Sequence, residues 1–145
     1  MVQILELIRD DHDFIRNLFD ELESNPDTRD IRCITLRREL PGHMDAEEAT
    51  LYARLRGAKP EVVRRLMADH TAIRETLARF EVIPLRDDAW LPALAGLREE
   101  IEAHFTLEEE DIFEQARRYI DINTLFELGE VFPREKVAAA RSMMM

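Results

Sequence analysis

From Val2 to about Glu23, the apolar residues Leu5, Ile8, Ile15, Phe19 and Leu22 recur every three to four positions, predicting an amphipathic helix with one buried stripe. His12 falls on that stripe. Ser24-Asn25-Pro26-Asp27 reads as a turn, with the proline restarting the chain near the first position of the next helix. The second pattern runs from roughly Thr28 to Arg56, with Leu36, Leu40, Leu51 and Leu55 inward and His43 and Glu47 on the same side. Pro41-Gly42 interrupts it. A proline there removes a backbone hydrogen bond and crowds the preceding turn, so a kink or a short break is expected just before His43.

Gly57-Ala58-Lys59-Pro60 closes this stretch and opens a third, from Glu61 to about Glu81, whose stripe of Val63, Leu66, Met67, Ile73, Leu77 and Phe80 includes His70. Ile83 to Asp87 reads as a loop, with Asp87 or Asp88 as the cap of a fourth helix. That helix is expected from about Ala89 to Tyr119, with Leu94, Leu97, Ile101, Leu107 and Ile112 inward beside His104 and Glu108. Ile122, Leu125, Phe126 and Leu128 suggest a short fifth helix limited by Gly129 and Pro133, and the Met143-Met144-Met145 tail is expected to fray.

The pattern repeats itself. Gly42-His43-Met44-Asp45-Ala46-Glu47-Glu48 reappears as Ala103-His104-Phe105-Thr106-Leu107-Glu108-Glu109, and Asp11-His12 with Ile15-Arg16 reappears as Asp69-His70 with Ile73-Arg74. Two helix pairs therefore read as copies of one hairpin. Four helices joined by short loops pack as an up-down antiparallel bundle. The expectation is an all-α chain: a bundle over residues 1–120, with 121–145 as a C-terminal helical extension of the same domain. Within it His12, His43, His70 and His104 converge near mid-height.

Composition narrows the function. At 145 residues the chain is the size of one ordinary domain. A formal charge of −11 argues against nucleic acid or an anionic membrane as partner, because both are bound through clustered Lys and Arg. Acidic surface instead attracts cations. The one cysteine, Cys33, allows no internal disulfide and fits a reducing compartment. No basic-then-apolar leader opens the chain and no apolar run reaches the length of a membrane span, so a cytoplasmic protein is expected.

A histidine and a glutamate four residues apart on a helix share one face. His43 with Glu47 and His104 with Glu108 are two such pairs, and all four histidines of the chain lie on four different inward stripes. Four imidazoles and two carboxylates exceed the needs of one tetrahedral zinc and suit two adjacent metals bridged by carboxylate. Mixed nitrogen and oxygen ligation favours iron over calcium or magnesium, with manganese or zinc as possible substitutes. Two such metals can share a two-electron change and bind a small diatomic or peroxide.

The order histidine, H-x-x-x-E, histidine, H-x-x-x-E, one element per helix, resembles the hemerythrin-like (HHE cation-binding) domain family over about residues 1–120. The resemblance implies two iron ions, with His12 and His43 on one, His70 and His104 on the other, and Glu47 and Glu108 bridging. One departure matters. Oxygen-carrying members have a further histidine on the third helix and a final aspartate ligand, whereas the positions four from His70 here are Leu66 and Arg74 and the last carboxylate is Glu108. The departure implies an open coordination position and points away from reversible oxygen carriage. The pattern is similar instead to relatives that handle peroxide or nitric oxide, sense iron, or repair iron–sulfur centres. The repair proteins usually add a cysteine-containing N-terminal segment, which this sequence does not show. The expected function is thus a non-haem di-iron protein that binds small oxidants and, on the sharper reading, turns them over with catalase-like or nitric-oxide-handling activity. The alternative is an iron- or oxygen-sensing module without turnover. No residue stands out as an acid–base catalyst, and nothing in the sequence names an electron donor or protein partner.

Residues near the six are read more blandly. Glu48 and Glu109 lie about 100° round the helix from Glu47 and Glu108, as expected of solvated or salt-bridged positions. Glu39 and Glu100 are within reach of an imidazole N–H but are ordinarily paired with arginine. Tyr52, which matches Phe113 in the repeat, reads as core filler, and Arg16 and Arg74 as side chains reaching the surface. Cys33, about 15 Å of helix from His43, is too distant to be a ligand.

Overall fold

The computed structural model describes residues 2–144 and is all-helical, with no strand among the described residues. Helix α1 spans Ile4–Ser24, and the Gln3 side chain caps it by accepting from the Leu5 N–H at 2.8 Å. Asn25 accepts from the Asp27 N–H and Pro26 opens a single 3₁₀ turn, Pro26–Thr28. Helix α2 begins as Arg29–Glu47, passes through a π-helical turn at Glu48–Tyr52, and ends with Ala53–Leu55. Helix α3 is Pro60–Glu81, with proline at its first position, where the missing N–H is not needed. Asp87 accepts from the Ala89 N–H just before α4, as expected of a capping aspartate. Helix α4 repeats the design of α2: Trp90–Leu107, a π-helical turn at Glu108–Ile112, then Phe113–Tyr119. Helix α5 spans Ile122–Met144.

Two expectations are corrected. Of the kink or break expected at Pro41, the break is absent, since the α-helix runs through that residue, and a π-helical turn follows Glu47. The C-terminal helix is also not short. At 23 residues it carries Pro133 inside it and passes Gly129 uninterrupted, because it packs along α1 and α2, and tertiary packing outweighs local propensity. Gly129 marks the tightest point of that packing: a Cβ there would run into the Val2 carbonyl. The tail expected to fray is helical in backbone as far as Met144, and Met145 lies outside the described residues.

The interior is two apolar clusters. One gathers Ile4, Leu5, Ile8, Leu51, Leu55, Leu66, Ile112, Phe113 and Phe132; the other gathers Ile15, Phe19, Leu22, Leu36, Leu40, Ile73, Leu77, Trp90, Leu94 and Phe105. Each of the four histidines sits on its helix between a residue of the first cluster and one of the second. The molecule therefore carries a buried polar layer between two hydrophobic halves.

Candidate metal centre

The sequence places His12 on α1, His43 and Glu47 on α2, His70 on α3, and His104 and Glu108 on α4. All six are buried, with His104, at 4 % exposure, the least so. They converge. One group of potential ligand atoms comes from His12, His43, Glu47 and Glu108, another from Glu47, His70 and His104, and within each group the atoms lie no more than 4.8 Å apart. His12 Nε2 lies 3.1 Å and His104 Nε2 3.5 Å from Glu108 Oε1. His43 Nε2 and His70 Nε2 lie 3.3 and 3.2 Å from Glu47 Oε1. Each carboxylate thus faces one histidine from each copy of the repeat.

The outer nitrogens are held just as regularly. His12 Nδ1 meets Glu109 Oε2 at 2.6 Å, His43 Nδ1 meets Asp11 Oδ2 at 2.9 Å, His70 Nδ1 meets Glu48 Oε2 at 2.7 Å, and His104 Nδ1 meets Asp69 Oδ2 at 3.1 Å. With the carboxylate accepting from Nδ1–H, the Nε2 lone pair of the neutral ring is left facing inward, the tautomer a metal requires. Cations stand behind three of the four carboxylates. Arg16 bonds Glu109 at 2.9 Å, Arg74 bonds Glu48 at 2.8 Å, and Lys136 of α5 bonds Asp11 at 2.8 Å.

These contacts extend the bland readings of four residues: Glu48 and Glu109, salt-bridged as expected, also orient histidines, and Arg16 and Arg74 support them. Glu39 keeps its bland reading, paired with Arg38 and Lys136 away from the imidazoles. A signal for the carboxylates was present: both copies keep an aspartate immediately before the first histidine and a second glutamate immediately after the ligand-type one.

Tyr52 is the residue that sequence reasoning missed. Its hydroxyl donates to Glu108 Oε2 at 2.7 Å and lies 3.2 Å from both His70 Nε2 and His104 Nε2. Five residues after Glu47, it would lie about 140° round an α-helix. The π-helical turn, with its i to i+5 bonding, brings position i+5 towards the face of residue i.

The electrostatics call for cations. Burial pushes the Glu47 carboxyl well up, with the facing Glu108 carboxylate adding to it. Burial pushes Glu108 up as well, but the close approach of Glu47, His12 and His104 outweighs it and holds Glu108 well below the usual range. Burial lowers His12 and His70, yet their paired glutamates raise both above an ordinary histidine. Even so, His12 Nε2, His43 Nε2, Glu47 Oε2 and Glu108 Oε1 are buried without a hydrogen-bond partner. Each such atom costs roughly 1–3 kcal/mol when left unsatisfied. Nitrogen and carboxylate oxygens orphaned in one place, with their outer atoms already satisfied, form a donor set that fits metal.

A cleft of about 230 Å³, lined among others by Arg65, Asp69, Ala103, His104 and Leu107, lies against the outer edge of His104. Among the described residues, no helix is long and apolar enough to cross a membrane.

The model of the hemerythrin HHE cation binding domain matches residues 3–116. The chain is similar in structure to a hemerythrin HHE cation binding domain-containing protein from Mycobacterium kansasii, with a TM-score of 0.88 and 22% identity over 99% of this chain and 91% of that one. At that identity the likeness speaks for the fold. No significant match occurs among curated proteins.

Proposed function

Because this chain belongs to the hemerythrin HHE cation binding domain family, we propose that it is a cytoplasmic di-iron protein that binds and turns over small oxidants: hydrogen peroxide, oxygen or nitric oxide. In this reading α1 to α4 form an up-down antiparallel bundle with α5 added to it. His12 and His43 would hold one iron and His70 and His104 the other, with Glu47 and Glu108 as the carboxylates shared between them. Zinc or manganese could occupy the same donors. The observation that carries the proposal is the set of buried, unpartnered atoms His12 Nε2, His43 Nε2, Glu47 Oε2 and Glu108 Oε1 facing one another.

Iron bound there would supply redox change and Lewis acidity beside a small ligand. The chain's own residues do the rest. Glu109, Asp11, Glu48 and Asp69 fix the imidazole rings. Phe105, stacked on His12 at 3.7 Å, and Phe132, edge-on to His43 at 6.0 Å, keep water from that side. The Tyr52 hydroxyl holds its proton against Glu108 Oε2, in the region where the missing histidine had suggested an open position. It is a seventh polar group able to donate a proton or an oxygen lone pair.

The test is metal content per chain after growth with iron, then peroxide consumption under an oxygen electrode. About two irons with oxygen evolved at half the molar rate of peroxide loss, and lost in H70A, is the expected result. The near-complete burial of all six groups favours a second reading, a sensing module without turnover. Two irons per chain with no oxygen evolution, and a large gain in protease resistance on loading, would select it. Fewer than one iron would overturn both.

A further inference from the structure

His43 is supported unlike the other histidines. The carboxylates behind His12 and His70 are held by Arg16 and Arg74, four residues along the same helix as the histidine concerned. The carboxylate behind His43 is held by Lys136, from α5, beyond the segment 3–116 that matches the family model. The chain of contacts is short: Lys136 Nζ to Asp11 Oδ1 at 2.8 Å, and Asp11 Oδ2 to His43 Nδ1 at 2.9 Å. Both outer partners are largely shielded, Asp11 at 18 % and Lys136 at 24 % side-chain exposure. Lys136 also lies 3.6 Å from Glu39 Oε2, so the ammonium is held between two acids. The same helix places Phe132 edge-on against the His43 ring.

One wall of His43, and the cation behind the carboxylate that holds it, therefore come from α5. A carboxylate that accepts from a ligand imidazole sets its tautomer and its orientation, and loss of such a partner typically costs about 10- to 100-fold in metal affinity. A cation bonded to the far oxygen of that carboxylate fixes its rotamer. We propose that Lys136 is a positioning residue for the metal centre, acting through Asp11 on His43, and that docking of α5 thereby sets the hold on one of the two metal positions and not the other. The inference rests on the two-metal reading above.

The test uses the full chain loaded with ferrous iron, followed by release of iron to a chelator, in wild type, K136M, K136R and R74M. Wild type is expected to hold two ions. K136M is expected to release one of them about 10- to 100-fold faster with the second unchanged, and K136R, which restores the cation, to return close to wild type. R74M, which unpins Glu48 behind His70, should speed the other ion, so that the double variant K136M/R74M releases both fast. Thermal melting of the metal-free proteins separates positioning from folding. K136M should melt within a few degrees of wild type. Unchanged release in K136M, no recovery in K136R, or equal acceleration of both ions with a large loss of metal-free stability would overturn the proposal. A wild-type chain that takes up no iron overturns the two-metal reading itself, and two firmly held ions unaffected by K136M overturn this inference alone.

Discussion

The two halves of the metal centre come from one repeated sequence pattern and are finished differently. Around His12 and His43 the ring faces meet hydrocarbon: Phe105 stacks on His12, Phe113 lies 6.3 Å from it, and Phe132 closes over His43. Around His70 and His104 the ring neighbour is Tyr52, whose hydroxyl reaches both inner nitrogens and Glu108. The difference lies largely in one pair of matched positions, Tyr52 and Phe113, plus the Phe132 and Lys136 that α5 brings to the His43 side. The two copies of the pattern carry equal ligands. A single hydroxyl, together with α5, distinguishes an apolar side from a polar one that has the cleft beside His104. The polar half is where a small oxidant and a proton would meet.

The comparison breaks most completely if the shared carboxylate is removed. Glu108 faces one histidine of each half, so E108A is expected to leave less than about one iron per chain by elemental analysis. Retention of two would separate the halves. Exchanging the divergent pair is the next largest effect. Y52F removes a hydrogen bond to a buried carboxylate, expected to destabilise the metal-free protein by about 1.5–3 kcal/mol in urea titration. It should also shift the visible spectrum of the iron form. F113Y places a hydroxyl in the dry half and, with no acceptor assured there, should bind iron less tightly without restoring Y52F.

A smaller effect is expected at Asp69, the one of the four outer carboxylates without a cation bonded to it among the described residues. D69N should speed iron release by about 10-fold, the low end for such partners, because that histidine is held by the weakest of the four arrangements.

The mildest prediction concerns pH. Glu47, His12 and His70 are all raised, so metal must displace protons from them; iron affinity should fall on acidification, and loading in weak buffer should release protons. In the metal-free protein the signs oppose one another. Asp11, Glu48, Asp69 and Glu109 are depressed, and their stabilisation, present above the ordinary carboxylate range, is lost below about pH 4. The raised histidines stabilise below an ordinary histidine pKa, near about 6.5, and lose that contribution as pH rises through their folded values. A denaturant midpoint that peaks in mildly acid solution is the expected profile.

Much of this was legible in the chain. The apolar stripes located α1 to α4, and the two H-x-x-x-E pairs with two further inward histidines named six residues that the fold brings together. What escaped depended on geometry that a uniform helix does not have. Tyr52 reads as off-face at 100° per residue, and only the π-helical turn aims it at the centre. Glu48 and Glu109 also read as off-face on their own helices, whereas each serves a histidine on a neighbouring one. α5 was cut short because Gly129 and Pro133 are local stop signals. The contact with α1 and α2 that overrides them is long-range, as is the Lys136 to Asp11 bond.

The central claim is a pair of metals held by those six residues. Anomalous diffraction from iron-loaded crystals, recorded above and below the iron edge, tests it most directly. The account predicts two iron peaks in the buried layer, one within bonding distance of His12 and His43 and one within bonding distance of His70 and His104, with Glu47 and Glu108 between them. A single peak, or iron bound elsewhere with these six side chains unligated, would contradict it.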